Sequence, residues 1–475
     1  MRNVHQRRTV VRQTPRHRRT ARLVVCMAAT AALVGLGSAP TYAQSGSPTP
    51  VAGSASDEVR ATLEAIRAKH NLPSLAGGYS VGTGVLEYAA TGWRQWGSDA
   101  KVTDDDVYHL GSVTKSLTGT VIAKLVEQGT LAWDTPLEQL LPGFPMRDEY
   151  KGINLTMLMA HRSGMSGISY PAGLGPVPFN GQPVSPEQRK AYIQFVLGLA
   201  PTSAPGTKYE YSNPGTSTAA FVAEQKTGKP FEQLASELVW QPLGMTSCSM
   251  GTIWPSATTQ PNPHRWSGST PVPAAVGSGN SRVLDGADQS RCSARDVLIY
   301  ARAHATGETL GGLLKPESWT NLHTVRFPGQ NYASGWLVGS NAGEPVLEHA
   351  GSNTLNYATV TFAPRSQLAV VVLTNIGVAA PEGTLARTQA AEREANAALS
   401  VIALRRQSAI KAAVPASTTP ATTPTTVAAS TGTATTLAPP ASSTGATTLP
   451  KRAAAAAGKK KVCTINSKTK KKVCR

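Results

Sequence analysis

Metal-ligating patterns are missing from this chain: among nine histidines and five cysteines, none falls into His-Glu-x-x-His or Cys-x-x-Cys spacing. Such ligand sets need residues presented from one turn, so no metal centre is expected. The glycines around 164–181 lack the spacing of a phosphate cradle and read as loop formers, and no cofactor is expected. The apolar run from Leu23 to about Gly37 is short for a membrane span. A basic surplus is also missing from the middle of the chain. Eight arginines in residues 1–22 and ten Lys or Arg in residues 451–475, with no acid in either stretch, account for the whole formal charge of +18. Nucleic-acid-binding domains keep a basic face, so no nucleic-acid partner is expected of the folded part.

The two ends differ from the centre. Residues 1–43 read as an export signal: a basic start, the apolar run, then Thr41-Tyr42-Ala43 as a small-x-small cleavage site before Gln44. Left uncleaved, the segment would be an N-terminal anchor. Residues 44–55 read as a linker, 56–405 as the folded domain, 406–450 as a Pro/Thr/Ala-rich disordered linker and 451–475 as a basic, Cys-containing tail. The expected location is secreted or cell-wall associated, an oxidising setting in which Cys248 with Cys292 and Cys463 with Cys474 is the simplest of three pairings. Lys459-Lys460-Lys461-Val462-Cys463 is echoed by Lys470-Lys471-Lys472-Val473-Cys474. A closed basic loop of this kind suits an anionic wall polymer or a membrane surface; the bland reading is a solvated tail.

Within 56–405, Asp57 is placed to cap a helix carrying Val59, Leu63 and Ile66, and Leu75–Val81 and Val85–Ala90 read as a hairpin around Gly82-Thr83-Gly84. Apolar spacing predicts helices over 112–128, 155–161, 215–227, 230–239, from Ser293 onward and over 382–404. Residues 166–207, rich in Gly and Pro, read as a long irregular excursion. Strand signals return at 333–338, 346–349, 357–362 and 368–373. Strands at both ends with helices between predict an α+β fold in which one antiparallel sheet, assembled from N- and C-terminal segments, is flanked by helices and joined to a mostly helical subdomain.

Ser112-Val113-Thr114-Lys115 opens the 112–128 helix, where three-residue spacing brings the two Cβ atoms within roughly 5–6 Å. A hydroxyl becomes nucleophilic once a neighbour takes its proton, and an amine kept neutral by burial can do so. Alone, Ser-x-x-Lys is common, and an N-cap serine beside a surface lysine is its ordinary meaning. Two further groups accompany it. Tyr211-Ser212-Asn213 sits on a loop at a helix start, and His349-Ala350-Gly351, followed by Ser352, ends a strand-like run.

In that order and at those intervals the motifs resemble the serine β-lactamase and penicillin-binding-protein superfamily, in the branch of class C β-lactamases, D-alanyl-D-alanine carboxypeptidases and related esterases. The resemblance spans about residues 56–404 and includes Leu158-Met159-Ala160-His161-Arg162-Ser163-Gly164-Met165, Gln241-Pro242-Leu243-Gly244-Met245 and Ser293-Ala294-Arg295-Asp296. It implies a β-lactamase/transpeptidase-like fold and a secreted serine hydrolase acting through a Ser112 acyl-enzyme on D-amino acid peptides, β-lactams or esters, with small molecules or peptidoglycan-derived peptides as substrates. Lys115 and Tyr211 would exchange the proton, either being the base; Asn213 would position Lys115 and the substrate. The Ser112 and Ser352 N–H groups would cradle an oxyanion, while His349 would bond Tyr211 or the substrate. Two departures stand out. Ala350 occupies the place of a carboxylate-gripping Thr or Ser, for which Ser352 is the available substitute, and no arginine lies between Asn331 and His349. The alternative is a retired enzyme that binds peptidoglycan and is held at the wall by its tail. Trp93 and Trp96 are candidates for a substrate groove, with packing the commoner role, and His161 reads as structural.

Overall fold

The computed structural model describes residues 54–176, 183–251, 259–275, 279–377 and 384–413, with two short strands at 463–465 and 472–474. The export signal, most of the 406–450 linker and most of the tail lie outside the described residues.

The hairpin Ser74–Val81 and Val85–Gly92 joins the C-terminal strands directly, because Ser74–Val81 pairs antiparallel with Leu368–Thr374. From one edge, the seven-stranded order is Ser54–Ala55, Val85–Gly92, Ser74–Val81, Leu368–Thr374, Tyr357–Ala363, Glu344–Ser352, Leu337–Asn341. The sheet assembled from both chain ends is therefore present, and antiparallel apart from the two-residue edge Ser54–Ala55, which pairs parallel with Glu87 and Tyr88. Against one face lie the helices Asp57–Lys69 and Thr384–Ala413, with Val59, Leu63, Ile66, Leu75, Ala395 and Leu399 in the shared core. Ser56, not Asp57, caps the first helix by accepting from the Val59 N–H. The helix Ala294–Leu310 covers the other face, capped by Ser293 as its sequence predicts.

Three expectations need correction. Residues 166–207 contain a thirteen-residue helix, Pro186–Gly198, started by a capping box in which Ser185 and Gln188 bond each other's backbone. Residues 333–336 form a turn, not a strand: Gly335, at φ 89°, presses its backbone against Lys115 and Ser116, and the strand starts only at Leu337. The last helix continues to Ala413, past Arg405, though residues 404–413 are largely exposed.

The helix Thr114–Glu127 runs through the helical part. Leu117, Val121, Ile122 and Leu125 are in the core, as its apolar spacing predicts. Its polar residues are buried too, each satisfied: Thr118 donates to Gly286 O, Thr120 bonds Tyr300, and Ser116 donates to Val113 O. The rod is thereby fixed on every side. Nearby, the Cys248–Cys292 disulfide is formed, tying strand Ser290–Ser293 to the segment before Ser249. In the separate C-terminal unit, Cys463–Ile465 and Lys472–Cys474 pair antiparallel with position 463 opposite 474.

Candidate active site

Ser112 lies in a single 3-10 turn, Gly111–Val113, that leads into the buried helix, so its side chain meets solvent while its backbone is held. Lys115 is fully buried, and its Nζ has three partners: Ser112 Oγ at 3.0 Å, Asn213 Oδ1 at 2.5 Å and Ala287 O at 2.9 Å. Three donors of an ammonium match three acceptors. The same set also satisfies a neutral amine, whose two N–H groups go to Asn213 and Ala287 and whose lone pair then faces the Ser112 hydroxyl. Burial pulls the Lys115 pKa well below its ordinary value, opposed by the nearby negative charge of Asp288.

Asn213 opens the helix Asn213–Thr227, capped by Ser212, whose Oγ accepts from the Gly215 N–H. Its Nδ2 donates to Ser169 Oγ, which turns Oδ1 toward Lys115. Tyr211 lays its ring 4.6 Å from Nζ; burial pushes its phenol pKa up, and the neighbouring Ser112 hydroxyl opposes the shift. His161 does more than end a helix. Its Nδ1 accepts from the Ser212 N–H, and its ring packs 4.4 Å from Tyr211 and 4.7 Å from Tyr332.

His349 is brought to the same place but bonds neither Tyr211 nor open solvent. Nδ1 is bonded to Ala350 O at 2.7 Å, and Nε2 to the Tyr332 hydroxyl at 2.9 Å. Burial, with Lys115 adding to it, pulls its pKa down to about 3, so the ring is neutral. A neutral ring donating from Nδ1 takes the Tyr332 proton at Nε2. Gly351 and Gly111 seat strand Glu344–Ser352 against the Ser112 turn, where any Cβ would strike backbone. Ser352 is no substitute for the missing hydroxyl at 350, since its Oγ donates to Asn356 O and accepts from Thr354 N–H. Arg162 is also spent, on Gln330 and the carbonyls of Thr207 and Pro328. Trp93 sits between Arg67 and Lys101, and Trp96 donates its backbone N–H to His264. They are packing residues.

Sequence reasoning missed Ala287, Asp288 and Tyr332. Ala287 acts through a carbonyl, which no side-chain motif reports, and Tyr332 belongs to no motif, lying just before the turn at 333–336.

A nucleophilic hydroxyl beside a desolvated amine, on this sheet-and-helix frame, defines a serine hydrolase. The family model for Beta-lactamase matches residues 59–395, and the chain belongs to that family. It is 24% identical over 340 residues to penicillin-binding protein 4 of Amycolatopsis lactamdurans, covering 67% of this chain and 84% of that one. It is 28% identical over 342 residues to esterase EstB of Burkholderia gladioli, covering 63% and 85%. The D-amino acid amidase of Ochrobactrum anthropi SV3 has the same fold, with a TM-score of 0.60 at 17% identity, covering 74% of this chain and 100% of that one.

Proposed function

We propose that the protein is an exported hydrolase that forms an acyl-enzyme at Ser112, acting on D-amino acid peptides, β-lactams or esters. The observation that carries the reading is the 3.0 Å approach of Lys115 Nζ to Ser112 Oγ, with Asn213 and Ala287 aiming the amine. Ser112 Oγ attacks the substrate carbonyl carbon and its proton passes to Lys115. The carbonyl oxygen takes the electron pair and is cradled by the Ser112 and Ser352 N–H groups. Collapse expels the leaving group, which takes a proton back through Lys115 or Tyr211, and water then hydrolyses the ester at Ser112. Asn213 stands on the substrate side, His349 is held behind the strand by Tyr332 and Ala350 O, and Gly351 lets the strand close on the nucleophile.

Relatives named penicillin-binding protein, esterase and D-amino acid amidase are compatible with all three substrate classes. With Ala350 lacking a hydroxyl and that of Ser352 engaged, esters and amides without a neighbouring carboxylate suit the site best. The N-terminal pattern supports export, and the basic tail supports attachment to anionic wall polymer. The test is intact-mass detection of acylation by a fluorescent penicillin and by an activated aryl ester. Wild type should gain the acyl mass and Ser112→Ala should not. No adduct with any acylating probe would leave the peptidoglycan-binding reading instead.

A further inference from the structure

We infer that Asp288 is the counter-charge of Lys115, a positioning residue that makes the buried amine basic enough to take the Ser112 proton without bonding to it. The inference rests on the acyl-enzyme reading above.

Asp288 is 2% exposed and directly follows Ala287, whose carbonyl holds Nζ. Among the described residues its oxygens are met by amide donors, Asn280 Nδ2 on one and Gln289 Nε2, at 2.6 Å, on the other. A carboxylate surrounded by donors is satisfied in its ionised form. No cation stands within ion-pair distance of it among the described residues, and a buried charge without compensation costs several kcal/mol. Burial pushes the Asp288 pKa up to about 6, and the Lys115 charge and the two amide donors hold it from rising further, so the carboxylate is ionised at neutral pH.

The other titratable groups facing Lys115 carry no charge. His161 and His349 are held neutral by burial, and burial likewise keeps Tyr211 protonated. The nearby carboxylate Asp285 is tied to Arg189 and Arg282. When the Ser112 proton moves to Nζ, a full positive charge appears in a dry site, and Asp288 is the group placed to stabilise it. Since the charge develops along the reaction, the effect falls on the acylation rate and not on ground-state binding.

The experiment is the pH profile of aryl-ester turnover for wild type, Asp288→Asn and Asp288→Glu, with folding checked by thermal melts. Loss of the negative charge lowers the Lys115 pKa further. The acid limb of kcat/KM in Asp288→Asn should therefore move to lower pH, and its plateau should fall about tenfold or more with KM little changed. Asp288→Glu should restore both. If Asp288→Asn does not fold, the limb is read in Asn280→Ala, where the carboxylate loses a donor, ionises less readily and should move the limb the same way. A folded variant with an unmoved limb and plateau would overturn the inference. Ser112 acylation in wild type would at the same time leave the acyl-enzyme reading intact.

Discussion

Gly351 stands so close over Ser112 that a Cβ on it would lie 2.6 Å from the Ser112 backbone nitrogen and 2.7 Å from that of Val113. Neither partner can yield, because the turn leads into a helix buried on all sides and the strand is paired to Tyr357–Ala363. Gly351→Ala should therefore push the strand off the turn. Overpacking of this kind costs about 1–3 kcal/mol in stability. The sharper outcome is kinetic: displaced Ser112 and Ser352 N–H groups should lower acylation by about a hundredfold or more, the scale of losing an oxyanion donor. Stopped-flow acylation beside a urea melt checks both.

Tyr332 and His349 depend on each other in the same way. With Nδ1 committed to Ala350 O, the imidazole is an acceptor at Nε2, and the Tyr332 hydroxyl is its donor. Tyr332→Phe should leave a buried acceptor unmet and destabilise the fold by about 1–3 kcal/mol. Urea unfolding measures it, and a melt equal to wild type would contradict the pairing.

How far the sequence reaches is clear from which groups it reveals. Ser112 and Lys115 are readable because helical spacing alone puts them together, and Tyr211, Asn213 and His349 because their tripeptides lie at element ends. The sheet is readable from short apolar runs such as Leu368–Leu373, continuous because the strand is covered on both faces. Helix Pro186–Gly198 was obscured by the Gly and Pro before it, although Ser185-Pro186-Glu187-Gln188 carries a start signal. The site's remaining partners arrive through the tertiary fold. Ala287 meets Lys115 from 172 positions away through its carbonyl, a contact that no one-dimensional pattern encodes.

His264 joins the two ends of the fold: Nε2 accepts from the Trp96 N–H at 3.0 Å, and Nδ1 bonds Asn375 O at 3.1 Å. Burial pulls its pKa down to about 4. The unfolded chain, with an ordinary histidine near 6.5, binds more protons between those values, so stability rises with pH there. The contribution is fully present above about 6.5 and is lost as pH falls toward about 4, worth about 3 kcal/mol in all. His264→Gln should be less stable than wild type at neutral pH, yet lose about 3 kcal/mol less on acidification. Guanidinium melts across that range test it; parallel losses would refute it.

Cys248 and Cys292 close a loop with a sequence separation of 44. Chain entropy alone assigns such a crosslink about 4 kcal/mol. Cys248→Ser with Cys292→Ser should lower the unfolding free energy by up to that amount, read as a lower denaturation midpoint. Acylation of the folded variant should persist, since neither cysteine touches Ser112 or Lys115. A variant of unchanged midpoint would show that the β-pairing of Ser290–Ser293 suffices.

On the acyl-enzyme reading proposed above, Ala350 stands where a hydroxyl would meet a substrate carboxylate. Its neighbours His349 and Gly351 face inward while Ala350 is exposed, following the strand's alternation. The Ser352 hydroxyl is already committed, and so is the Arg162 guanidinium. A hydroxyl restored at 350 would therefore be the one new grip on a substrate carboxylate. Thr fits a strand position without distorting it. Ala350→Thr should raise kcat/KM for a penicillin or a D-Ala-D-Ala peptide by about tenfold, the worth of one charge-assisted hydrogen bond near 1.4 kcal/mol. The rate on a neutral aryl ester, which has nothing for that hydroxyl to hold, should stay level. Equal changes on both substrates would mean that position 350 does not lie beside the substrate carboxylate.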